Sequence, residues 1–303
     1  MSLLHTPVLQ EEILQYLSTK GLRTFCDATL GNGGHALALL EAHPEIEIYL
    51  GLDQDKHALG IARKHLTGKD KKIHFLHRNF RHIEQIVQEK GFAPFDGILF
   101  DLGVSSMQLD EQGEGFEQRG FSFLRPAPLD MRMNQDQPLT AEQVINDYSE
   151  KQLGEIFREL GEEPFWRSIA RTIHQARQKK RITTTTELVD LVERVKKRRG
   201  RLHPATLVFQ ALRILVNEEL ISLEEGLRNV IPLLAKGGLL FVISFHSLED
   251  RIAKQVFRAE AKVDASLRIL TKKPLIATRA ETRKNPRARS AKMRILERSA
   301  DHT

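Results

Sequence analysis

Asp27-Ala28-Thr29-Leu30-Gly31-Asn32-Gly33-Gly34-His35 is the stretch on which the fold turns. It leaves an apolar run, Arg23 to Thr29 (RTFCDAT), passes through a glycine-rich turn, and enters a segment whose Ala36, Leu37, Leu39 and Leu40 are apolar. That pattern reads as strand, tight turn, helix. Glycines admit positive φ and let a ligand approach the backbone closely. The helix start beyond them offers unpaired N–H groups and the positive end of the helix dipole. Asp53 closes the next apolar run, about twenty residues on, where a carboxylate can accept hydrogen bonds from both hydroxyls of a ribose. Together these features describe a site for an adenosine-containing cofactor.

Outward from this stretch the same rhythm repeats. Ile46 to Leu52 (IEIYLGL) reads as a second strand, Ile73 to His77 as a third, and Phe95 to Phe100, ending at Asp101, as a fourth, with helical segments near Lys56 to Leu66 and Arg81 to Lys90 between them. Repeated strand-helix-strand units predict right-handed crossovers and a parallel sheet covered on both faces. The rhythm breaks after Asp101. Residues 110–138 are rich in Gly, Pro, Asp and Arg, and from Thr140 the pattern is helical. Thr140 with Gln143, Ser149 with Gln152, and Thr184 with Glu187 each have capping-box spacing. Gly161 and Gly200 stand where helices are expected to stop, and Pro204 suits the first turn of a helix carrying Leu207, Phe209, Leu212, Leu215 and Val216. A buried strand returns at Leu239 to Phe245 (LLFVISF). Leu267 to Thr271 and Lys292 to Leu296 are expected to close the sheet as an antiparallel pair. The expectation is an α/β domain made of 1–107 plus 205–303, interrupted by a helical insertion over 108–204.

Composition narrows the classes. The 303 residues are 41% hydrophobic and 28% charged, as in an ordinary soluble globular protein. A formal charge of +6 suits a polyanionic partner without requiring one. The basic residues cluster at Arg177 to Arg181, at Lys196 to Arg201, and along the last stretch from Lys272 to Arg294. Cys26 is the only cysteine, which excludes an internal disulfide and a cysteine-based zinc site. The histidines show no paired ligand spacing, so no metal is expected. Met1 to Pro7 lacks a basic region followed by an apolar core, and no stretch is apolar enough to span a bilayer. A cytoplasmic location is expected.

The residues alone leave the cofactor open. Gly31-x-Gly33-x-x-Ala36 also satisfies the dinucleotide fingerprint, so an NAD-dependent oxidoreductase competes with an S-adenosylmethionine-dependent methyltransferase. Asp27, four residues before Gly31, tilts the choice. A carboxylate there suits the ammonium of a methionine moiety and opposes a pyrophosphate. A non-catalytic RNA-binding module is a further alternative.

Longer strings narrow the choice. TLGNGGH (29–35), DLGVSSMQ (101–108), RGFSF (119–123), LDMRM (129–133), GEE (161–163), HPAT (203–206), FQALRI (209–214), ISFHSLEDR (243–251) and NPRARSAK (285–292) occur in this order over nearly the whole chain. In them the chain resembles the ribosomal RNA small subunit methyltransferase H family. The resemblance implies a class I, Rossmann-like methyltransferase fold with a mostly parallel seven-stranded sheet and an inserted all-helical, substrate-recognition domain. It implies S-adenosylmethionine as cofactor and methylation of the N4 amino group of a cytidine in the decoding region of small-subunit (16S) ribosomal RNA, free or in the assembled subunit. It places Gly33, Gly34 and His35 against the cofactor, Asp53 on its ribose and Phe80 beside its adenine, with Asp101 and Gln108 completing the pocket. One departure stands out: Leu207 and Val208 replace the Arg-Thr that similar proteins carry after the threonine, which puts an RNA or domain contact there in question.

The chemistry needs a group that accepts a hydrogen bond from the cytosine amino group. Asp101, or a carbonyl of Leu102 to Ser105, is the candidate acceptor, and the competing reading is that Asp101 only holds the cofactor. His246 is a weaker candidate for substrate contact, while Ser247 and Asp250 are expected to cap the next helix. Asp130 and Arg132 form a structural ion pair or reach the RNA. The insertion and Arg287 with Arg289 are candidates for holding the flanking strand.

Overall fold

Apolar runs long enough for one strand set the sheet, and three of them end at an aspartate, Asp27, Asp53 and Asp101. The structure, a computed structural model, describes residues 7–69, 72–92, 94–104, 119–198 and 202–300. After helix α1 (Gln10–Leu17), strands β1 (Thr24–Asp27), β2 (Ile48–Asp53), β3 (Ile73–His77) and β4 (Phe95–Asp101) alternate with α2 (Gly34–Ala42), α3 (Lys56–His65) and α4 (Ile83–Lys90). A helical stretch follows: α5 (Ala141–Asp147), α6 (Glu150–Glu159), α7 (Trp166–Arg177), α8 (Thr185–Val195), α9 (Thr206–Val216) and α10 (Glu219–Val230). The chain then returns to the sheet through β5 (Leu234–Ser244), α11 (Ser247–Val263), β6 (Leu267–Ile269), β7 (Leu275–Ile276), α12 (Arg279–Lys284) and β8 (Lys292–Arg298).

The strands order as β3-β2-β1-β4-β5-β8-β6, with β7 also paired to β8. The first five are parallel, and β8 runs antiparallel to β5, β6 and β7. The anticipated antiparallel closing pair is β6 with β8, and the two-residue β7 adds an eighth strand to the seven expected. Strand order reverses between β1 and β4, and the crevice at such a switch point is where open α/β sheets bind ligands. The central strands read as continuous apolar runs because both faces are covered. Phe25, Tyr49, Leu99, Phe241 and Ile243 face α1, α2 and α3, while Cys26, Leu50, Ile98, Leu240 and Val242 face α4, α10 and α11. Close strand packing explains Gly97, where an added Cβ would lie 2.4 Å from the Phe25 ring.

The chain divides into two compact units, Met1–Gly103 with Leu220–Thr303, and Val104–Glu219. The boundary anticipated at 204 falls at 219 instead. Val208, Phe209, Ala211, Leu212 and Val216 of α9 bury into the second unit's core with Leu153, Phe157, Ile169 and Leu188. Buried Asn217 fastens the same helix to the loop after residue 119: its Oδ1 accepts from Met133 N at 2.8 Å and its Nδ2 donates to Met131 O at 2.8 Å. All three anticipated capping boxes form, at Thr140, Ser149 and Thr184. Gly161 does follow the end of α6, but tight packing also requires it, since a Cβ there would lie 2.6 Å from Leu207 O. Asp130 and Arg132 do pair, at 2.7 Å. Gly200 lies outside the described residues. Among the described residues, no helix is long and apolar enough to cross a membrane.

Candidate cofactor and active site

Register alone lines up three carboxylates. Asp27 ends β1 opposite Gly51 of β2 and Leu99 of β4, so Asp53 and Asp101, each two residues farther on, end their strands at the same edge. The glycine turn crosses that edge. Leu30 N donates to Leu52 O at 2.8 Å and Gly33 N to Leu30 O at 2.9 Å, which closes the bend. Gly31 and Gly33 adopt φ of 53° and 81°, and Gly33 caps α2. A Cβ on Gly33 would meet Leu66 Cδ1 at 2.8 Å, and one on Gly34 would meet Pro7 Cγ at 2.8 Å. These two glycines are therefore demanded by the protein's own packing as well as by any ligand. At Gly31 an added Cβ finds only Thr29 O, 3.8 Å away, which leaves the bend open.

Each aspartate has a distinct environment. Asp53 Oδ2 accepts from Gly31 N and Oδ1 from Asp55 N, both at 2.8 Å, so this side chain ties the glycine turn to β2. Burial, reinforced by the Asp55 carboxylate, pushes it up to about 7 despite those bonds. Asp27 is buried. It accepts from Thr29 N at 3.1 Å and from the Tyr49 hydroxyl at 3.1 Å, and burial raises it to about 6. Asp101 is partly exposed, and its backbone N–H donates to Thr29 Oγ1 at 2.7 Å. His35 is buried on the first turn of α2 with Nε2 3.5 Å from Asp101 Oδ2, beyond a well-formed hydrogen bond. Burial also raises the Cys26 thiol well above its usual range, leaving it an inert core side chain.

Three buried polar atoms at this edge lack a hydrogen-bond partner among the described residues: Asn32 Oδ1, His35 Nε2 and Asp101 Oδ1. Leaving such an atom unsatisfied costs about 1–3 kcal/mol, so the edge is arranged for a polar ligand to complete it. A nucleoside with hydroxyls and a cationic tail would supply donors to Asp53 and Asp27, and the residues fit that group.

Phe80 opens a short 3-10 turn after β3, which puts it just past the strand end paired with Asp53. Its ring meets Phe100 edge-on at 5.1 Å, and a Cβ on Gly226 would approach it to 2.6 Å. The sheet edge thus gathers Gly33, Gly34, His35, Asp53 and Asp101, with Phe80 beside them. Gln108 lies outside the described residues, as does Ser105.

His246 follows β5, and here the expected helix cap is corrected. His246 itself is the N-cap of α11: Glu249 N donates to its Nδ1 at 3.4 Å, and Glu249 Oε2 accepts from Phe245 N at 2.8 Å and His246 N at 3.2 Å. Ser247 is the first helical residue, and Asp250 binds Arg294 bidentately at 2.7 and 3.1 Å. The aspartate is drawn to β8 and leaves capping to its neighbour. Three residues escaped the sequence reading. Thr29 and Tyr49 hold Asp101 and Asp27, and buried Glu249 closes the β5–α11 turn. Only Tyr49, a hydroxyl inside an apolar strand, carried a signal that could have found it.

Proteins named ribosomal RNA small subunit methyltransferase H match along their length. That of Persephonella marina is 46% identical over 297 residues, covering 97% of this chain and 99% of the relative. That of Chlamydia caviae is 44% identical over 299 residues, covering 98% of each. Among solved structures, a rRNA-methylase described as putative from Clostridium thermocellum aligns over 97% of this chain and 99% of its own, at 12% identity and a TM-score of 0.46. The sequence model of the MraW methylase family matches residues 2–299, and on that span the chain belongs to the MraW methylase family.

Proposed function

We propose that this chain transfers a methyl group from S-adenosylmethionine to the N4 amino group of a cytidine in small-subunit ribosomal RNA, in the cytoplasm. The observation that carries the reading is the row of Asp53, Asp27 and Asp101 across the sheet edge, with the unsatisfied atoms of His35 and Asp101 beside it. When bound, the sulfonium supplies an electrophilic methyl group. Asp53 receives the ribose hydroxyls while its N–H bonds keep it facing the turn. Asp27 offers its charge to the ammonium end. Gly33, Gly34 and His35 line the bend, and Phe80 borders the adenine.

Asp101 then has one task. Cytosine N4 is a weak nucleophile because its lone pair is delocalised into the ring. Asp101 Oδ1 accepts a hydrogen bond from the amino group, sharpening the lone pair as the nitrogen pyramidalises, and takes the proton released when the N–C bond forms. Positioning and exclusion of water supply most of the remaining acceleration. The target base has to leave its stack to reach this edge, and we assign recognition of the surrounding RNA to the inserted helical unit.

The test is to incubate the protein with S-adenosylmethionine and either naked small-subunit RNA or assembled subunits, and to map methylated nucleosides by mass. A single N4-methylcytidine is expected. A melting temperature raised by NAD and not by S-adenosylmethionine would overturn the reading in favour of an oxidoreductase, and RNA binding with no methyl transferred would favour a non-catalytic module.

A further inference from the structure

The basic residues fall into three stretches, which the structure treats differently. In the first, Lys180 pairs with Glu187 at 2.6 Å, Arg181 with Glu142 and Asp147 at 2.8 and 3.1 Å, and Arg177 donates to Ile145 O at 2.6 Å. In the second, Lys196 pairs with buried Glu163 at 2.7 Å, and only Lys179 of the first and Lys197 and Arg198 of the second are, among the described residues, exposed with no ion pair. The third differs. Lys272, Lys273, Arg279, Arg283, Lys284 and Arg289 are all exposed, and none forms an ion pair with another described residue. The only acid between Thr271 and Lys292 is Glu281, and its Oε1 is already taken by Leu9 N at 2.8 Å.

This segment also lies where it matters. It leads into β8 at Lys292, which pairs with Ser244, and the adjoining Ile243 of β5 pairs with Asp101. Its entry to β8 is thus two strands from Asp101, about 10 Å at the usual strand spacing. At its other side, the Glu281 bond holds Leu9 while Pro7 packs on Gly34 of the glycine turn. The segment therefore runs along the same sheet edge as the candidate active site.

An unpaired exposed cation can take a phosphate and release that phosphate's condensed counterion. A cation already bound to a carboxylate has to give up that partner first, and its charge is neutralised locally. We propose that the segment from Lys272 to Arg289 is the phosphate-binding lip of the enzyme, gripping single-stranded RNA backbone on either side of the cytidine presented to Asp101. This rests on RNA being the substrate.

The experiment measures affinity for a fluorescently labelled single-stranded RNA oligonucleotide by anisotropy across a salt series. It compares the parent chain, the triple variant Arg283→Gln, Lys284→Gln, Arg289→Gln, and the double variant Lys180→Gln, Arg181→Gln, whose cations are already paired. Each protein is first checked for melting temperature and S-adenosylmethionine affinity. The triple variant is expected to bind more weakly, and to lose about 2 from the slope of log affinity against log salt, at roughly 0.7 per phosphate contact on a single strand. The double variant is expected to keep the parent's slope. If the triple variant folds, binds S-adenosylmethionine and retains the parent's slope, or if the double variant loses slope instead, the lip is refuted. A parent chain with no salt-dependent RNA binding refutes it as well. Methyl transfer to the same RNA is scored separately. A parent that binds through these cations yet transfers nothing leaves the lip standing and removes the proposed reaction.

Discussion

Asp53 and Asp27 are held by donors yet are pushed upward, because burial outweighs the hydrogen bonds each accepts. Their folded-state values, about 7 and about 6, lie above the ordinary carboxylate value near 4 that the unfolded chain has. Below pH 4 both states are protonated and the favourable contribution of the neutral acids is fully present. It is lost as pH rises through 6 to 7. Asp53→Asn removes the ionisation, so its stability relative to the parent should improve between pH 4 and 7.5 in denaturant titrations. An invariant difference would refute the assignment. A ligand bringing hydroxyl donors and a cation favours the ionised forms. S-adenosylmethionine should therefore bind about tenfold more tightly at pH 7.5 than at pH 5.5, releasing protons near pH 6; calorimetry in buffers of different ionisation enthalpy reads both. Asp101 is tested by rate. With saturating S-adenosylmethionine, Asp101→Asn should lower the single-turnover rate about a hundredfold, the lower range for a lost general base, while cofactor affinity shifts only a few-fold. An unchanged rate leaves Asp101 as a holder of cofactor alone.

At the scale of elements, the β5–α11 junction separates two roles for His246. Its side chain accepts the Glu249 N–H as an N-cap, work that asparagine does at least as well. His246→Asn should keep turnover within a few-fold, whereas His246→Ala should cost about 1 kcal/mol of stability. A tenfold or greater loss of turnover in a stable His246→Asn variant would assign the imidazole to the substrate. This junction also shows where sequence stops being legible. The strands and the capping boxes at Thr140, Ser149 and Thr184 were readable because their causes are local: apolar runs, and a hydroxyl three residues before Gln or Glu. The histidine cap was not, because serine is the better intrinsic cap and Arg294 and Lys292, far along the chain, draw Asp250 away. Asp53 was legible by its spacing as the residue ending β2 beside the glycine turn. Its bond to Gly31 N was not, since that depends on how β1 and β2 register. The boundary at 219 was missed because α9 is apolar over much of its surface. Such a helix suits either core until packing shows which one takes Val208 and Leu212.

For the whole molecule, continuity of chain distinguishes the two units. The sheet unit is assembled from segments on either side of the insertion, so its core closes only when β5 from the later segment pairs with β4 from the earlier one. The inserted unit, Val104–Glu219, is one uninterrupted stretch with a core of its own. Local contacts dominate it, with α6 packing on α7, α7 on α8, and α5, α6 and α8 each starting from a capping box. A chain of this length with a single helical core is large enough to fold alone. A fragment spanning residues 104–219 should therefore show a helical circular dichroism spectrum and a single cooperative thermal transition. It should not respond to S-adenosylmethionine, because it lacks Asp27, Asp53 and Asp101. In the full chain the same ligand should raise the melting temperature, and at a hundred times its dissociation constant it adds about 2.7 kcal/mol to the state that binds it. A fragment that melts without cooperativity, or one stabilised by the ligand, would show that the inserted stretch is neither an independent folding unit nor separate from the cofactor site.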